Sequence, residues 1–205
     1  MKESTRSQVT TKRGDTGTTV ALSGDTLSKA HPVLEATGCV DAARAYTARF
    51  RLMLESSMRE DRDEILDFIH WLMHVYFLIG SHCNDPENKH PEYRNRDLSQ
   101  KHLDTLESFQ AGLEQRVKLP KYFILSATTM LSAEADIVCV EVRRLERALV
   151  QLKEAVPDFD TSILLPFVNR LSDTLFMLAR LLEDGQYRSV DYDVLGNPDE
   201  KSQES

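Results

Sequence analysis

The stretch from Glu60 to Gly80 reads EDRDEILDFIHWLMHVYFLIG. Its acidic start suits a helix N-terminus, where the backbone dipole favours negative charge. From Ile65 onward it is apolar on nearly every side, so the spacing predicts a helix over about 60–82 lying centrally among other helices. Working outward, Val33, Ala36, Val40, Ala43 and Phe50 recur at helical spacing behind Pro32, a residue that suits a first helical turn. They predict a helix over about 32–56. Three more are expected over about 98–117, 129–154 and 161–183, with Pro120 and Pro157 closing two of them. The polar segment CNDPENKHPEYRNRD, residues 83–97, reads as a linker. The chain has 205 residues, only 8 Gly and 7 Pro, and 41% hydrophobic composition, enough for one domain with a core. Five helices in one domain make an all-α bundle the economical packing. The organisation expected is a disordered start (1–8), a loop segment (9–31), a bundle (32–183) and a polar, mobile C-terminal tail (184–205).

Charge and cysteine usage exclude some functions. A net charge of −8 gives no general attraction to nucleic acid or anionic membrane. Neither is expected as a partner. Cys39, Cys83 and Cys139 form no CxxC and suggest a reducing compartment with buried or free thiols. With no membrane-length apolar run and no apolar signal stretch in MKESTRSQ, the expected location is cytoplasmic.

Four stretches could carry chemistry. The segment Thr10 to Thr19, TTKRGDTGTT, offers glycines that let N–H groups approach a ligand, with hydroxyls and a lysine as donors. It lacks the Walker A pattern, and a flexible terminus is the plainer reading. Arg143, Glu146 and Arg147 share a helix face, with Cys139 one turn earlier. Such a fork suits a polyphosphate, though surface ion-pair ladders are commoner. Asn169 and Asp173 lie at i, i+4 on the last helix, away from its leucine stripe. His70 and His74, also i, i+4, could bind zinc, but the third and fourth ligands are missing, so they read as helix-packing histidines and no metal site is assigned.

Taken in order, these segments resemble the PduO-type ATP:cob(I)alamin adenosyltransferases. That family's T-[RK]-x-G-D-x-G-x-T loop reads here Thr11-Lys12-Arg13-Gly14-Asp15-Thr16-Gly17-Thr18-Thr19. A G-x-x-x-x-K stretch corresponds to Gly24–Lys29, and E-A-x-G-x-V-D to Glu35–Asp41. An LFxLG element matches Tyr76–Gly80. Phe123-Ile124-Leu125 opens the segment before the arginine helix, and N-R-L-S-D-x-L-F-x-x-A-R is complete from Asn169 to Arg180. The likeness runs over about residues 9–183.

The resemblance implies a five-helix, ferritin-like bundle assembling as a homotrimer with sites between subunits. ATP with Mg2+ and a corrinoid such as cobalamin are the implied ligands. Co(I) attacks the 5′-carbon of ATP and triphosphate departs. Thr11, Gly14, Asp15, Thr18, Thr19 and Lys29 match the phosphate-binding segment. Arg143 matches the triphosphate-stabilising arginine, with Arg144, Glu146 and Arg147 in the same element, and Asn169 a nucleotide contact. Phe123 matches the residue that keeps the lower face of cobalt free, and Asp41 an aspartate paired with an arginine across the subunit boundary. A flavin- or thiol-linked reductase and a B12-dependent enzyme are possible partners.

Several positions depart from the pattern. Cys139 stands where the partner arginine of Asp41 is expected, Asp136 where a histidine is, and Ser126-Ala127-Thr128 where Pro-Gly-Gly is. Arg44, three residues after Asp41, could supply the missing positive charge. The departures leave an alternative open: a non-catalytic ATP- or corrinoid-binding homologue acting as sensor, carrier or assembly partner.

Overall fold

The computed structural model describes residues 12, 14–21, 24–94 and 96–196. Five helices carry the fold: α1 Pro32–Glu55, α2 Arg62–Asn84, α3 Gln100–Arg116, α4 Met130–Ala155 and α5 Leu164–Leu181. The expected helix boundaries hold to within three residues at each end, because caps mark them. The His31 ring accepts the Val33 N–H at the start of α1, ahead of Pro32. The Thr129 hydroxyl accepts the Ser132 N–H at the start of α4, while the Ser132 hydroxyl accepts the Thr129 N–H. None of the described helices is long and apolar enough to cross a membrane.

Cross-helix contacts fix the packing as a closed ring in the order α2, α1, α4, α5, α3. Between α1 and α2 the Thr47 hydroxyl meets the buried Tyr76 hydroxyl at 3.2 Å. Arg49 to Glu134 (2.7 Å) and Arg144 to Glu35 (2.9 Å) bind α1 to α4 in antiparallel register. Asn169 to Glu146 and Arg180 to Asp136 do the same for α4 and α5. Thr174 to Gln110 and Arg170 to Glu107 hold α5 and α3 parallel. The stacked rings of Phe68 and Phe109, 3.9 Å apart, close α2 against α3. Inside the ring lies one core that includes Phe50, Ile69, Leu106, Leu145, Phe167 and Leu175.

Two features differ from the sequence reading. α2 is not central. Asp67, His70, His74 and Phe77 form an exposed stripe along it. Aromatic and histidine side chains made the stretch look apolar on every side, yet a stripe of them faces outward. The histidines are therefore not packing residues; their rings lie edge to face on the surface, and among the described residues no group of three or more ligating side chains could hold a metal.

The second difference is two short antiparallel strand pairs, one a hairpin and one long-range. β1 (Thr18–Val20) pairs with β2 (Thr26–Ser28) ahead of α1. β3 (Ile124–Leu125) pairs with β4 (Arg188–Ser189), so part of the segment expected to be a mobile tail is tied to the chain before α4. The Val190 N–H extends this pairing by donating to the Phe123 carbonyl at 3.0 Å. Strands of two or three residues carry too few positions for an alternating pattern to show.

Candidate active site

The glycine-threonine segment folds as a turn leading into β1. Gly17 takes a φ of 82°, which a side chain would strain, and its N–H returns to the Gly14 carbonyl. The Thr16 and Thr18 hydroxyls lie 3.2 Å apart, and the Lys29 N–H donates to the Gly17 carbonyl at 2.9 Å. Gly14 serves a different end. A Cβ there would stand 2.9 Å from Lys29 Nζ, so the missing side chain lets the lysine ammonium lie over the turn. Asp15 is exposed and Thr18 and Thr19 are half-buried beside it. Thr11 lies outside the described residues. The arrangement gathers threonine hydroxyls and one ammonium over a turn whose Gly17 and Lys29 N–H groups are spent on holding it, a donor set suited to a phosphate chain.

Lys29 stands two residues before His31, the cap of α1, and α1 delivers this end to α4. The Glu35 carboxylate accepts from Arg144 at 2.9 Å and, at 3.6 Å, from the Cys39 thiol. The Arg144 guanidinium holds it below the usual carboxylate range. Arg144, expected in the anion-binding set, is thus engaged in fastening α1. Arg143 and Arg147 are exposed and carry no ion pair among the described residues. Glu146 accepts from the Asn169 amide at 2.9 Å, so these two predicted residues meet across α4 and α5.

Cys139 does not share the exposed arginine face. It is buried, its thiol donates to the Ser172 carbonyl at 3.2 Å, and burial raises its pKa. Asp41 points outward from α1 and is met by Arg44 at 2.9 Å, as the i, i+3 spacing anticipates. Arg44 also lies over the Phe77 ring, 4.8 Å from its centre.

Phe123 sits apart from all of these. It precedes α4, whereas Arg143 lies 13 residues into that helix, about 20 Å along the axis at 1.5 Å per residue. Phe123 is 79% exposed, and Tyr122, Leu125 and Met130 are exposed around it. One chain therefore separates the arginine face of α4 from the aromatic end. None of Ser126, Ala127 and Thr128 takes a positive φ, so this path needs no glycine.

Sequence reasoning assigned no role to Glu35, Arg180 or Glu183. Arg180 is 1% exposed, with its guanidinium 2.7 Å from Asp136 and 3.2 Å from Glu183. The other Glu183 oxygen accepts the Thr128 N–H at 3.1 Å. Arg180 and Glu183 stand at i, i+3, a visible signal of pairing; their burial was not visible.

The geometry defines a helical-bundle protein with a glycine-threonine turn under Lys29 at one end and an exposed aromatic loop at the other. The sequence matches the family model described as Cobalamin adenosyltransferase over residues 9–182. A cobalamin adenosyltransferase from Cupriavidus metallidurans is 32% identical over 181 residues, covering 86% of this chain and 88% of that protein. A corrinoid adenosyltransferase from Mycobacterium bovis is 26% identical over 191 residues, covering 93% of each. The corrinoid adenosyltransferase PduO of Citrobacter freundii is 28% identical over 170 residues, and this chain spans 48% of its length. Among solved structures, a variant PduO-type ATP:corrinoid adenosyltransferase from Lactobacillus reuteri, complexed with cobalamin and ATP, superposes with a TM-score of 0.76. It is 24% identical, with 89% of this chain and 95% of that one covered. A second variant of that enzyme gives 0.74 at 25% identity, covering 88% and 96%. The chain belongs to the cobalamin adenosyltransferase family.

Proposed function

We propose that this protein transfers the 5′-deoxyadenosyl group of ATP to the cobalt of a reduced corrinoid, releasing triphosphate. The observation that carries the reading is the placement of Lys29 over the Gly14 turn, on the end that the Glu35–Arg144 pair fastens to the arginine face of α4. In the reaction the electron pair of Co(I) forms the cobalt–carbon bond, the C5′–O bond breaks, and its electrons leave on triphosphate. The turn and Lys29 bind the phosphates, while Arg143 meets charge that grows as triphosphate departs. Glu146 orients the Asn169 amide toward the nucleoside. Mg2+ would be held through phosphate oxygens, with Asp15 or the threonine hydroxyls nearby.

Phe123 is the surface offered to the corrinoid. Phe123 precedes α4 while Arg143 lies about 20 Å along that helix from its first residue, so we infer that a complete site draws on a second copy, in keeping with a homotrimer whose sites lie between subunits. A flavin- or thiol-linked reductase would supply Co(I), and a B12-dependent enzyme would take the product.

One observation favours the second reading, a nucleotide- or corrinoid-binding homologue without turnover. Cys139 is neutral and turned into the core, so it offers Asp41 no cation. Anaerobic mixing with ATP, magnesium and chemically reduced cob(I)alamin decides. ATP-dependent adenosylcobalamin with triphosphate release supports the enzyme. ATP binding by calorimetry without product supports the homologue.

A further inference from the structure

The loop that presents Phe123 is fastened from below by buried charge. Arg180 is 1% exposed on the last turn of α5, and Glu183, equally buried, follows just beyond the helix. Asp136 of α4 lies 2.7 Å from the guanidinium. Taking these ions out of water is costly, and replacement by apolar side chains is often neutral or stabilising, so bundle stability alone is a weak reason for the cluster. What it does locally is specific. Glu183 accepts the Thr128 N–H, and the Thr129 hydroxyl donates to the Leu182 carbonyl at 3.1 Å. Two residues of the loop are thus bound to the end of α5, five and six positions after Phe123. The chain leaving α5 then returns as β4 and pairs with β3, its Val190 N–H reaching the Phe123 carbonyl. An exposed phenylalanine is held at its own carbonyl and again at Thr128, both by the segment that Arg180 and Glu183 begin.

We propose that Arg180 and Glu183 are positioning residues for the corrinoid: they fix the 123–129 loop so that Phe123 stands at a set height against the face of the macrocycle. The proposal rests on the adenosyltransferase reading for the identity of the ligand. Arg180 acts through Glu183, and Glu183 through the Thr128 amide. Neither touches substrate.

The test compares Glu183→Ala with Glu183→Gln in the full chain. Glutamine keeps an acceptor for Thr128; alanine removes it. Without ligand, hydrogen exchange at the Thr128 amide should rise about tenfold or more in the alanine variant, the worth of one buried hydrogen bond, while core amides of α1 and α4 keep their protection. Glutamine should hold it near the parent. With ATP bound, cob(II)alamin affinity should fall about tenfold in the alanine variant and the bound spectrum should revert toward that of free cofactor, with ATP affinity unchanged. Glutamine should restore the spectrum. Exchange that rises throughout the bundle, or ATP and corrinoid affinities that fall in parallel, would show a merely structural role and overturn the proposal. An unchanged corrinoid spectrum in the alanine variant would also overturn it. If the parent protein binds ATP but no corrinoid, the functional reading fails, and the fastening of the loop is then judged on exchange alone.

Discussion

Arg44 Nη2 lies 2.9 Å from Asp41 Oδ1 on the outer side of α1, and the same guanidinium covers the Phe77 ring of α2. Asp41 is therefore not left without a cation by the cysteine at position 139. Exposed helix pairs of this kind contribute about 0.3–0.5 kcal/mol, and an exposed cation–ring contact about 0.5–1. Arg44→Ala should lower the melting temperature by only about 2–4 °C. If Arg44 has taken over the charge partnership of Asp41, adenosyl transfer should fall well beyond what so small a loss of stability explains. Turnover equal to the parent at a temperature where both are folded would assign the pair to the surface alone.

Arg143 gives a sharper test of the proposed triphosphate contact. It is exposed and unpaired among the described residues, so truncation should leave stability within about 0.5 kcal/mol. Loss of one preorganised donor to developing negative charge costs about 10²–10³-fold in turnover. Arg143→Ala should show that loss with an unchanged melting curve and an unchanged oligomeric state by sedimentation. Full turnover would move the triphosphate contact elsewhere, with Arg147 the next candidate.

Gly14→Ala separates backbone need from ligand need. Gly14 does not take a positive φ, so alanine suits the turn, but its Cβ would press on the flexible end of Lys29. The hairpin should form as before, and the lysine ammonium should be pushed aside. Calorimetry should show weaker ATP binding at constant melting temperature. Gly17→Ala differs, because φ there is 82° and the backbone itself resists a side chain; it should cost about 1 kcal/mol.

The helices were legible because their signals are local. Pro32, Pro120, Pro157 and apolar spacing act within a few residues, and the structure follows them. Arg143, Glu146 and Asn169 were legible as ordered motif positions, and the Glu146–Asn169 contact brings two of them together. The outward stripe of α2 was not, since Phe77 and the histidines look like core in a composition of aromatic residues. Nor was the inward turn of Cys139: its apparent face came from spacing to Arg143, while its direction is set by the Ser172 carbonyl on α5. The role of Glu183 depends on Thr128, 55 residues away, and no periodicity carries such a pairing.

The same long-range packing sets thiol chemistry. All three cysteines are free and buried. Burial pushes Cys39 up to about 11 and Cys83 up to about 12, and raises Cys139 as well. The thiolate is the reactive form, so the folded protein should resist alkylation by iodoacetamide at neutral pH. Mass spectrometry should find no adduct before denaturant and three after it. Rapid labelling of Cys139 in the folded state would contradict its place against Ser172.

His82 predicts the acid side of the stability profile. Its ring is largely buried at the end of α2, with Nε2 3.4 Å from Asp97 and Nδ1 3.5 Å from Arg94, while Asp160 approaches from the connection before α5. Burial first, then the Arg94 charge, lowers its pKa below 6.5; Asp97 and Asp160 oppose them. Above pH 6.5 the ring is neutral in both the folded and unfolded chain, and its contribution to stability is fully present. As the pH falls below that value the unfolded chain takes up the proton first, so stability declines until the folded pKa is passed. His82→Gln removes that uptake. Melting temperatures of parent and variant, measured from about pH 5 to 7.5, should diverge in slope below the ordinary histidine pKa and run parallel above it. Parallel curves across the whole range would mean that carboxylates alone set the acid limit and that the Arg94–His82–Asp97 contact does not couple the end of α2 to pH.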